Sequence, residues 1–463
     1  MTARHISIWV ILACLLMACA GPADTEPTDS GLPPDLDDDR DGVLTSVELE
    51  AGTDPMDPSS APAWQPQWSG HPRLLFDAET WSQIKASILA EDPAYLPFYD
   101  RLKQAGLREI APHEEESFMP RLHEQNSRTL LGAALTYAVE EDPAARTHVL
   151  DLLSVMRSDV GTLSIDELDG ATIHTSEAMI NLCQAYDLLA ADEEIESALR
   201  EHLRAVAAEW MAFYSQGLGQ AVLLLTQNNH NIKGASGLAM VGMTLNDLPE
   251  AAGYVNYGLH DAWYFLTEYQ SPVGGGQAEG PTYLAYSALN YLPVFWAYHR
   301  FAQGESWPYK NSCLHRNEAC EERIVELDDP LTESILPTIH AWWRRIAMPS
   351  GYGPNIEDSN LHCLANGAIA CMWQDGEAAW RDSQLSRCAG HAWDTEMLRL
   401  AVTHRMPEPE EPALLELDVM PEAGQAVFRT SWQEDAIYGL LNGEHDLARA
   451  HGFGHEQPDA TAF

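Results

Sequence analysis

The segment "SEAMINLCQAYDLLA", Ser176 to Ala190, is the clearest guide to the fold class of this chain. Its apolar side chains recur every three or four positions, the spacing of one helix face: Met179, Leu182, Cys183, Tyr186 and Leu189. Thr175 and Ser176 are suited to cap a helix, and Glu177 suits a first turn, where negative charge is favoured. We therefore predict a buried helix that is capped near Thr175.

Similar patterns recur on both sides of this segment, from about residue 71 to residue 348. They include "HPRLLFDAETWSQIKASI", "SRTLLGAALTYAV", "SALREHLRAVAAEWMAFY", "KGASGLAMVGMTL", "YLAYSALNYLPVFWAYHRF" and "ESILPTIHAWWRRIAM". Repeated helices of this length, joined by short polar loops, predict paired helices in a bundle, solenoid or toroid. We assign this helical domain to residues 66–405.

The pattern changes near residue 405. Residues 406–423 read as a connector, and "QAVFRTSW" and "AIYGLLNG" then predict two strands around a turn. Two strands alone are marginally stable. Residues 424–463 are therefore predicted to begin an antiparallel β domain that is truncated here.

Composition excludes one class of function. The 463 residues carry 70 acidic and 26 basic side chains, for a formal charge of -44, and 45% of the residues are apolar. Nucleic-acid binding requires a basic face, so we predict no nucleic-acid partner. The apolar fraction is sufficient for a large core.

The N-terminus indicates export. An apolar run from Ile6 to Leu16 is followed by "LLMAC", which resembles a bacterial lipobox ending at Cys19. Residues 1–19 are thus predicted to be a lipoprotein signal, and Cys19 the lipidated anchor at the outer membrane, the cell surface or the periplasm. An ordinary cleaved signal peptide is the alternative. Exported cysteines such as Cys313 and Cys320 are expected to be structural.

Residues 20–65 are rich in Pro, Asp, Ser and Thr and read as an acidic tether. Within it, residues 37–48 match the spacing of a calcium loop, whose ligands converge as oxygen atoms on one cation. The predicted ligands are Asp37, Asp39, Asp41, Val43 through its carbonyl, Thr45 and Glu48. The segment that follows resembles thrombospondin type 3 repeats. A solvated acidic linker is the alternative.

Four polar segments interrupt the apolar patterns and could carry chemistry. They are "TQNNHNIKGASGLAM", "SPVGGGQAEGPTYLAYSALNY", "RRIAMPSGYGPNIEDSN" and "HGFGHEQPDATAF". In the first, one Asn could serve as a helix cap, but three Asn and a His exceed what a cap needs. Tyr283 and Tyr286 in the second could be core aromatics, and Glu357 and Asp358 in the third could be a solvated loop.

Taken in order, these segments, together with "CQAYDLL" and "VFRTSW", resemble the heparinase II/III-like polysaccharide lyases and related alginate lyases. The resemblance covers about residue 70 to the end of the chain. It implies a mainly α fold, an (α/α) toroid followed by an antiparallel β-sandwich, with a sugar-binding cleft between them. It also implies a uronic-acid-containing, acidic polysaccharide as substrate.

The resemblance further implies site residues. Asn229 would neutralise the substrate carboxylate, helped by Asn228 or Gln277, while His230 and Tyr283 would act as base and acid. Tyr286 is the substitute if the register differs by one turn, and His455 would complete the site from the β domain. Glu279 and Arg344 are further expected substrate contacts.

The resemblance also bears on a metal. Many relatives have a His-x-His-x-Asp pattern whose second His helps to bind a structural zinc ion. Here the matching text is "HEQPD", with Gln457 in that position. Gln is a poor zinc ligand, which argues against zinc, although Asp459 keeps the site open.

We therefore predict a lyase that cleaves its polysaccharide by β-elimination. Two alternatives stay open. A non-catalytic surface glycan-binding protein would use the same cleft without turnover. A glycoside hydrolase would need two facing carboxylates, for which Glu279, Glu357 and Asp358 are the candidates.

Overall fold

The computed structural model describes most of the chain between residues 70 and 443. The described residues are 70–111, 119–156, 165–215, 229–248, 250–271, 279–302, 307–310, 324–327, 329–332, 335–356, 361–363, 365–385 and 395–443, with residues 45, 49, 52–57, 276 and 359.

Helices dominate the described residues. In chain order they are α1 (Ala78–Leu89), α2 (Leu96–Gly106), α3 (Met119–Glu140), α4 (Pro143–Val155), α5 (Ile165–Leu189), α6 (Glu193–Ser215), α7 (Asn229–Thr244), α8 (Ala251–Tyr264), α9 (Pro281–Ala302), α10 (Leu336–Ile346), α11 (Gly367–Trp373), α12 (Gly376–Ser383) and α13 (Glu396–Val402). A π-helical turn, Phe265–Gln270, extends α8, and a 3₁₀ turn, Thr403–Arg405, follows α13.

Several helix starts are fixed by aspartate caps. Asp77 accepts a hydrogen bond from the Thr80 amide at the start of α1. Asp142 caps α4, whose first residue, Pro143, has no amide proton to satisfy. A side-chain oxygen at this position replaces the missing intrahelical acceptor, so these local signals place the helix boundaries.

Consecutive helices pack as pairs, and α7 lies at the centre of the core. Every residue of α7 is buried, and the helix packs against α5, α8 and α9. Its contact with α8 is close because Gly258 has no side chain. A Cβ there would lie 2.4 Å from the Ala239 amide nitrogen, well inside van der Waals contact.

The predicted cap near Thr175 is wrong. Helix α5 begins at Ile165, so Thr175 and Ser176 are interior helical residues. The Ser176 hydroxyl instead donates a hydrogen bond to the Lys233 carbonyl of α7 and lies 3.1 Å from the Asn290 amide oxygen of α9. The two hydroxyl residues are therefore part of the contact between central helices, where a buried polar group needs a partner.

The strands form two small antiparallel sheets. Strands β1 (Trp307–Lys310) and β2 (Ile324–Leu327) form a hairpin that the helical pattern did not predict. Strands β3 (Leu417–Met420), β4 (Gln425–Arg429) and β5 (Tyr438–Asn442) pair in that order. The two predicted strands are thus present, and β3 lies within the segment that we interpreted as a connector.

The three-stranded sheet is attached to α10. The Trp342 indole donates a hydrogen bond of 2.7 Å to the side chain of Gln425, and the Tyr438 hydroxyl donates one of 2.7 Å to the Ile346 carbonyl. The buried positions of β3 and β4 alternate with more exposed ones, as expected for a half-buried sheet.

The predicted fold class, mainly helical with antiparallel strands at the C-terminal end, is confirmed. Within the part of the chain that the structure describes, no helix is both long and apolar enough to cross a membrane. Cys363 is disulfide-bonded. Cys183 is a buried thiol, and burial raises its pKa.

Candidate functional site

The candidate site is built around Asn229, the first residue of α7. Its backbone amide donates a hydrogen bond of 2.8 Å to Oε2 of Glu279, and its side-chain Nδ2 donates one of 2.8 Å to Oε1. Both side chains are fully buried. The carboxylate therefore holds Asn229 at two points, and it also offers negative charge to the positive end of the helix dipole.

This clamp fixes the orientation of the Asn229 amide. A carboxylate only accepts hydrogen bonds, so the side chain must present its NH₂ group to Glu279. One N–H is used there, and the second stays available to another acceptor. Among the described residues the Asn229 Oδ1 atom has no hydrogen-bond partner. A buried amide with spare hydrogen-bonding capacity is typical of a site that receives a ligand.

Glu279 connects two of the polar segments from the sequence. It stands just before α9, whose first residues are Pro281, Thr282 and Tyr283. A third segment joins at the same place, because the Thr282 amide donates a hydrogen bond of 3.0 Å to the hydroxyl of Ser359. The structure thus gathers three of the four polar segments at the starts of α7 and α9.

Two tyrosines provide the accessible side of this site. Tyr283 and Tyr286 lie one turn apart on α9 and are partly exposed, whereas Asn229 is covered and His230 is 7% exposed. Burial raises the pKa of Tyr286, and the negative charges of Glu177 and Glu124 raise it further. Tyr286 therefore keeps its proton near neutral pH.

Lys233, one turn after Asn229 on α7, is fully buried beneath Tyr286. Its Nζ lies 3.2 Å from the centroid of the Tyr286 ring, a cation–π contact, and 3.9 Å from Oε2 of Glu177. Burial lowers the pKa of Lys233 to about 8, and the charges of Glu177 and Glu124 limit that fall. The Tyr286 ring covers the Lys233 Nζ atom, so Lys233 acts on the site through its charge.

Other predicted residues lie elsewhere. Arg344 lies in the last turn of α10 and is ion-paired with Asp375 at 2.5 Å, with only 10% of its side chain exposed. Its predicted substrate contact stays a prediction. Glu279 has both carboxylate oxygens occupied by Asn229, so the role supported by geometry is to orient Asn229.

Several predictions concern residues outside those that the structure describes. They are Cys19, the calcium ligands Asp37, Asp39, Asp41, Val43 and Glu48, the site residues Asn228, Gln277, Glu357, Asp358 and His455, and the zinc-motif residues Gln457 and Asp459. Thr45 is described as a half-buried helical residue. Within the described part of the chain, no group of three or more His, Cys, Asp or Glu side chains could hold a metal ion.

Sequence reasoning missed the polar cluster beside the tyrosines. Arg128 of α3 lies 2.5 Å from Glu177 of α5 and 3.1 Å from Glu124 of its own helix. Helix α3 was predicted only from its apolar face, and Glu177 was expected in a first turn, whereas it lies in the interior of α5 and pairs with Arg128. The Glu124–Arg128 spacing of four residues was the one local signal.

The arrangement can stabilise negative charge and move a proton. An oriented amide beside a helix N-terminus stabilises an oxyanion without competing for the proton. A tyrosine hydroxyl on the adjacent helix can transfer a proton when a substrate places its oxygen or carbon within hydrogen-bond reach. An elimination next to a carboxylate requires both of these functions.

No protein-family model matches the chain, and no curated protein matches it. Solved structures resemble it. A heparinase III gene product is 16% identical, with the match covering 84% of this chain and 62% of the other and a TM-score of 0.45. A second heparinase III structure is 14% identical, with coverage of 76% and 50% and a TM-score of 0.46.

An alginate lyase from Bacteroides ovatus is 12% identical, and the match covers 74% of this chain and 97% of that one with a TM-score of 0.43. This chain thus spans about half to two thirds of the length of the two heparinase III structures. At such identities the likeness concerns overall architecture and says nothing about the reaction.

Proposed function

We propose that this protein is a polysaccharide lyase that cleaves a uronic-acid-containing polymer by β-elimination. The observation that carries the proposal is the double hydrogen bond from Asn229 to the buried Glu279, which precedes Tyr283 of α9 by four residues. A buried carboxylate that fixes one amide at the end of a helix is costly unless the orientation of that amide matters.

The mechanism follows from the chemistry of a uronate. Its C5 proton is acidified by the neighbouring carboxylate, and removal of that proton builds negative charge on the carboxylate oxygens. The free N–H of Asn229 is suited to donate to one of those oxygens and so stabilise the enediolate. The electron pair then forms the C4=C5 double bond as the C4–O bond breaks.

Two proton transfers complete the reaction. A base removes the C5 proton, and an acid protonates the departing glycosidic oxygen. We assign the acid to Tyr283, because this residue is partly exposed and follows Glu279 by four positions at the start of α9. His230 is assigned as the base, and Tyr283 can perform both steps on a substrate whose stereochemistry puts the proton and the leaving oxygen on one face. Tyr286 lies over Lys233, which makes it the weaker candidate.

One of the three carboxyl groups that a hydrolase could use is engaged by Asn229. A hydrolase needs two carboxyl groups that face the scissile bond. Glu279, one of three candidates, is fully buried and accepts two hydrogen bonds from Asn229. It is therefore a poor general acid for an incoming sugar.

The test is a search for the unsaturated product. The full-length protein is incubated with alginates, glycosaminoglycans and bacterial uronans, and the ultraviolet absorbance of a new C4=C5 bond is followed. We expect activity on at least one uronan, and Asn229→Ala should lower kcat by about 10²- to 10³-fold, as for loss of an oxyanion donor. Reducing ends without absorbance would indicate a hydrolase, and tight binding without product would indicate a glycan-binding protein.

We further propose that the chain is exported, anchored through Cys19, and binds calcium in the loop of residues 37–48. The support is the lipobox-like "LLMAC" and the complete ligand spacing of the loop. Metabolic labelling with a fatty acid, compared between the natural chain and Cys19→Ser, tests the anchor. Absence of label from both would refute it.

A further inference from the structure

The Arg128 guanidinium is paired with two carboxylates, and part of its side chain remains exposed to solvent. Its Nη2 atom contacts Glu177 at 2.5 Å and Glu124 at 3.1 Å. Its side chain is 43% exposed, whereas Glu177 and Glu124 are 10% and 12% exposed. A guanidinium fixed by two nearly buried carboxylates has lost most of its rotamer freedom before any ligand arrives.

Glu124 is supported by a second helix. His174 of α5 makes a short hydrogen bond with Glu124 through Nδ1. Burial alone would raise the pKa of Glu124, but this hydrogen bond and the charge of Arg128 hold it well below its usual range. Burial likewise disfavours the charge of Arg128, and the two carboxylates more than offset this, so the pKa of Arg128 is raised.

Lys233 changes the charge balance of this cluster. Two carboxylates and one guanidinium sum to one negative charge, which would repel an acidic polymer. The buried ammonium of Lys233, 3.9 Å from Glu177, brings the sum to zero. Among the described residues it has no hydrogen-bond acceptor, so it is held by the Tyr286 ring and by Coulomb attraction. A desolvated ammonium is expensive, so its charge requires an explanation.

The cluster adjoins the proposed catalytic residues. Lys233 follows Asn229 by one turn of α7, and Tyr286 follows Tyr283 by about one turn of α9, a rise of about 5 Å in each helix. The Lys233–Tyr286 contact therefore lies about one helical turn beyond Asn229 and Tyr283. Arg128 contacts Oε1 of Glu177 and Lys233 lies near Oε2, so Glu177 and Lys233 link the Arg128 guanidinium to the Tyr286 ring.

We propose that Arg128, fixed by Glu124 and Glu177 and charge-compensated by Lys233, binds the carboxylate of a second uronate in a subsite beside Asn229 and Tyr283. The inference rests on the proposed function and adds to it. The ligand is an anionic sugar of the acidic polymer, and the planar guanidinium suits bidentate contact with its carboxylate. In a chain with a formal charge of -44, such local compensation lets a polyanion approach.

Binding of a defined oligosaccharide tests the subsite separately from turnover. The probe is an alginate hexasaccharide, with maltohexaose as the neutral control, and affinity is measured by calorimetry at low salt. Arg128→Gln should weaken hexauronate binding by about 10- to 100-fold, the range for loss of a charged hydrogen bond, and Arg128→Lys by less. Arg204→Gln is the matched control, because Arg204 is 55% exposed and pairs with Glu250.

The role of Lys233 gives a second, independent measurement. Lys233→Met keeps the stem but removes the charge, and should weaken hexauronate binding by about tenfold at pH 7. In the natural protein affinity should fall between pH 7 and 9, as Lys233 loses its proton with a pKa of about 8. Glu124 titrates far lower and Tyr286 higher, so neither of these two groups shares this window. Lys233→Met should show no such fall.

The outcomes separate this inference from the proposed function. Equal hexauronate affinity for the natural protein, Arg128→Gln and Arg204→Gln would overturn the subsite even if the protein cleaves a uronan. Loss of affinity in Arg128→Gln without any unsaturated product would support the subsite and overturn the lyase. If Lys233→Met does not fold, affinity of the natural protein that stays constant from pH 7 to 9 still overturns the role of Lys233.

Discussion

Two arginines illustrate how this protein uses the same side chain for different purposes. Arg128 belongs to the helical site, pairs with two carboxylates and is 43% exposed. Arg429 of β4 is 2% exposed and donates to the backbone carbonyls of Arg345 and Ala347 at the end of α10, while its guanidinium lies 4.2 Å from the Trp432 ring centroid.

The partners explain the difference. Carbonyl groups at a helix end need hydrogen-bond donors, and the Arg429 guanidinium supplies them. Arg429 therefore attaches the sheet to α10. Arg128 has carboxylate partners whose excess charge Lys233 offsets, so its exposed face can still attract an anion. We infer that the helical site supplies chemistry and binding, while the junction between α10 and the sheet supplies stability.

The largest expected effect is at Tyr283. Tyr283→Phe removes only the hydroxyl, and kcat on the best uronan should fall by about 10²- to 10⁴-fold, the usual contribution of a general acid or base. Tyr286→Phe keeps the ring over Lys233 and should change kcat by less than about tenfold. The measurement is the rate of absorbance increase at saturating substrate. Loss of activity in Tyr286→Phe with Tyr283→Phe unaffected would move the acid one turn along α9.

At Arg429 we expect a large effect on stability and little effect on chemistry. Arg429→Met fills the space of the side-chain stem but leaves two carbonyls without their donor, which should cost about 2–4 kcal/mol. Chemical denaturation measures the loss, and Arg204→Met is the exposed control, expected to change stability by less than about 0.5 kcal/mol. If folded Arg429→Met loses activity without losing stability, the division between the two regions fails.

These two regions differ in how well sequence predicted them. The apolar period of Met179, Leu182 and Tyr186 identified a helix, and alternation in "QAVFRTSW" identified a strand, because both patterns are local. The start of α5 was missed because the hydroxyl of Ser176 bonds across to α7 rather than capping its own helix. Serine is suited both to a helix cap and to a contact between helices, so its presence alone does not distinguish the two.

The site was predicted only in part, because sequence patterns report local structure and not contacts between distant residues. Clustered amides and His230 marked the start of α7, since local composition alone was unusual there. The clamp between Asn229 and Glu279 joins residues 50 positions apart, and Arg128 and Glu177 are 49 apart. The chain has 70 acidic residues, and no local pattern shows which of them lies opposite a given amide or guanidinium. Tertiary packing determines that pairing.

The smallest expected effect concerns Glu279, where a variant distinguishes a role in orienting Asn229 from a role in stability. Glu279→Gln keeps the size of the side chain, but its amide can accept only one of the two hydrogen bonds from Asn229. If Glu279 positions Asn229 for the transition state, kcat should fall by about 10- to 100-fold. KM for the uronan should stay within about twofold, because Arg128 still holds the polymer.

A merely structural role for Glu279 gives another result. It would lower the unfolding midpoint and leave the kcat of the folded protein unchanged, as we expect for Arg429→Met. Steady-state kinetics and denaturation of the same preparations decide between the two. The comparison also tests the amide orientation: with Gln at residue 279, the NH₂ group of Asn229 is no longer forced toward its partner, so the donor to the enediolate is lost for part of the time. An unchanged kcat in a variant of lowered stability would assign Glu279 to the fold, as with Arg429.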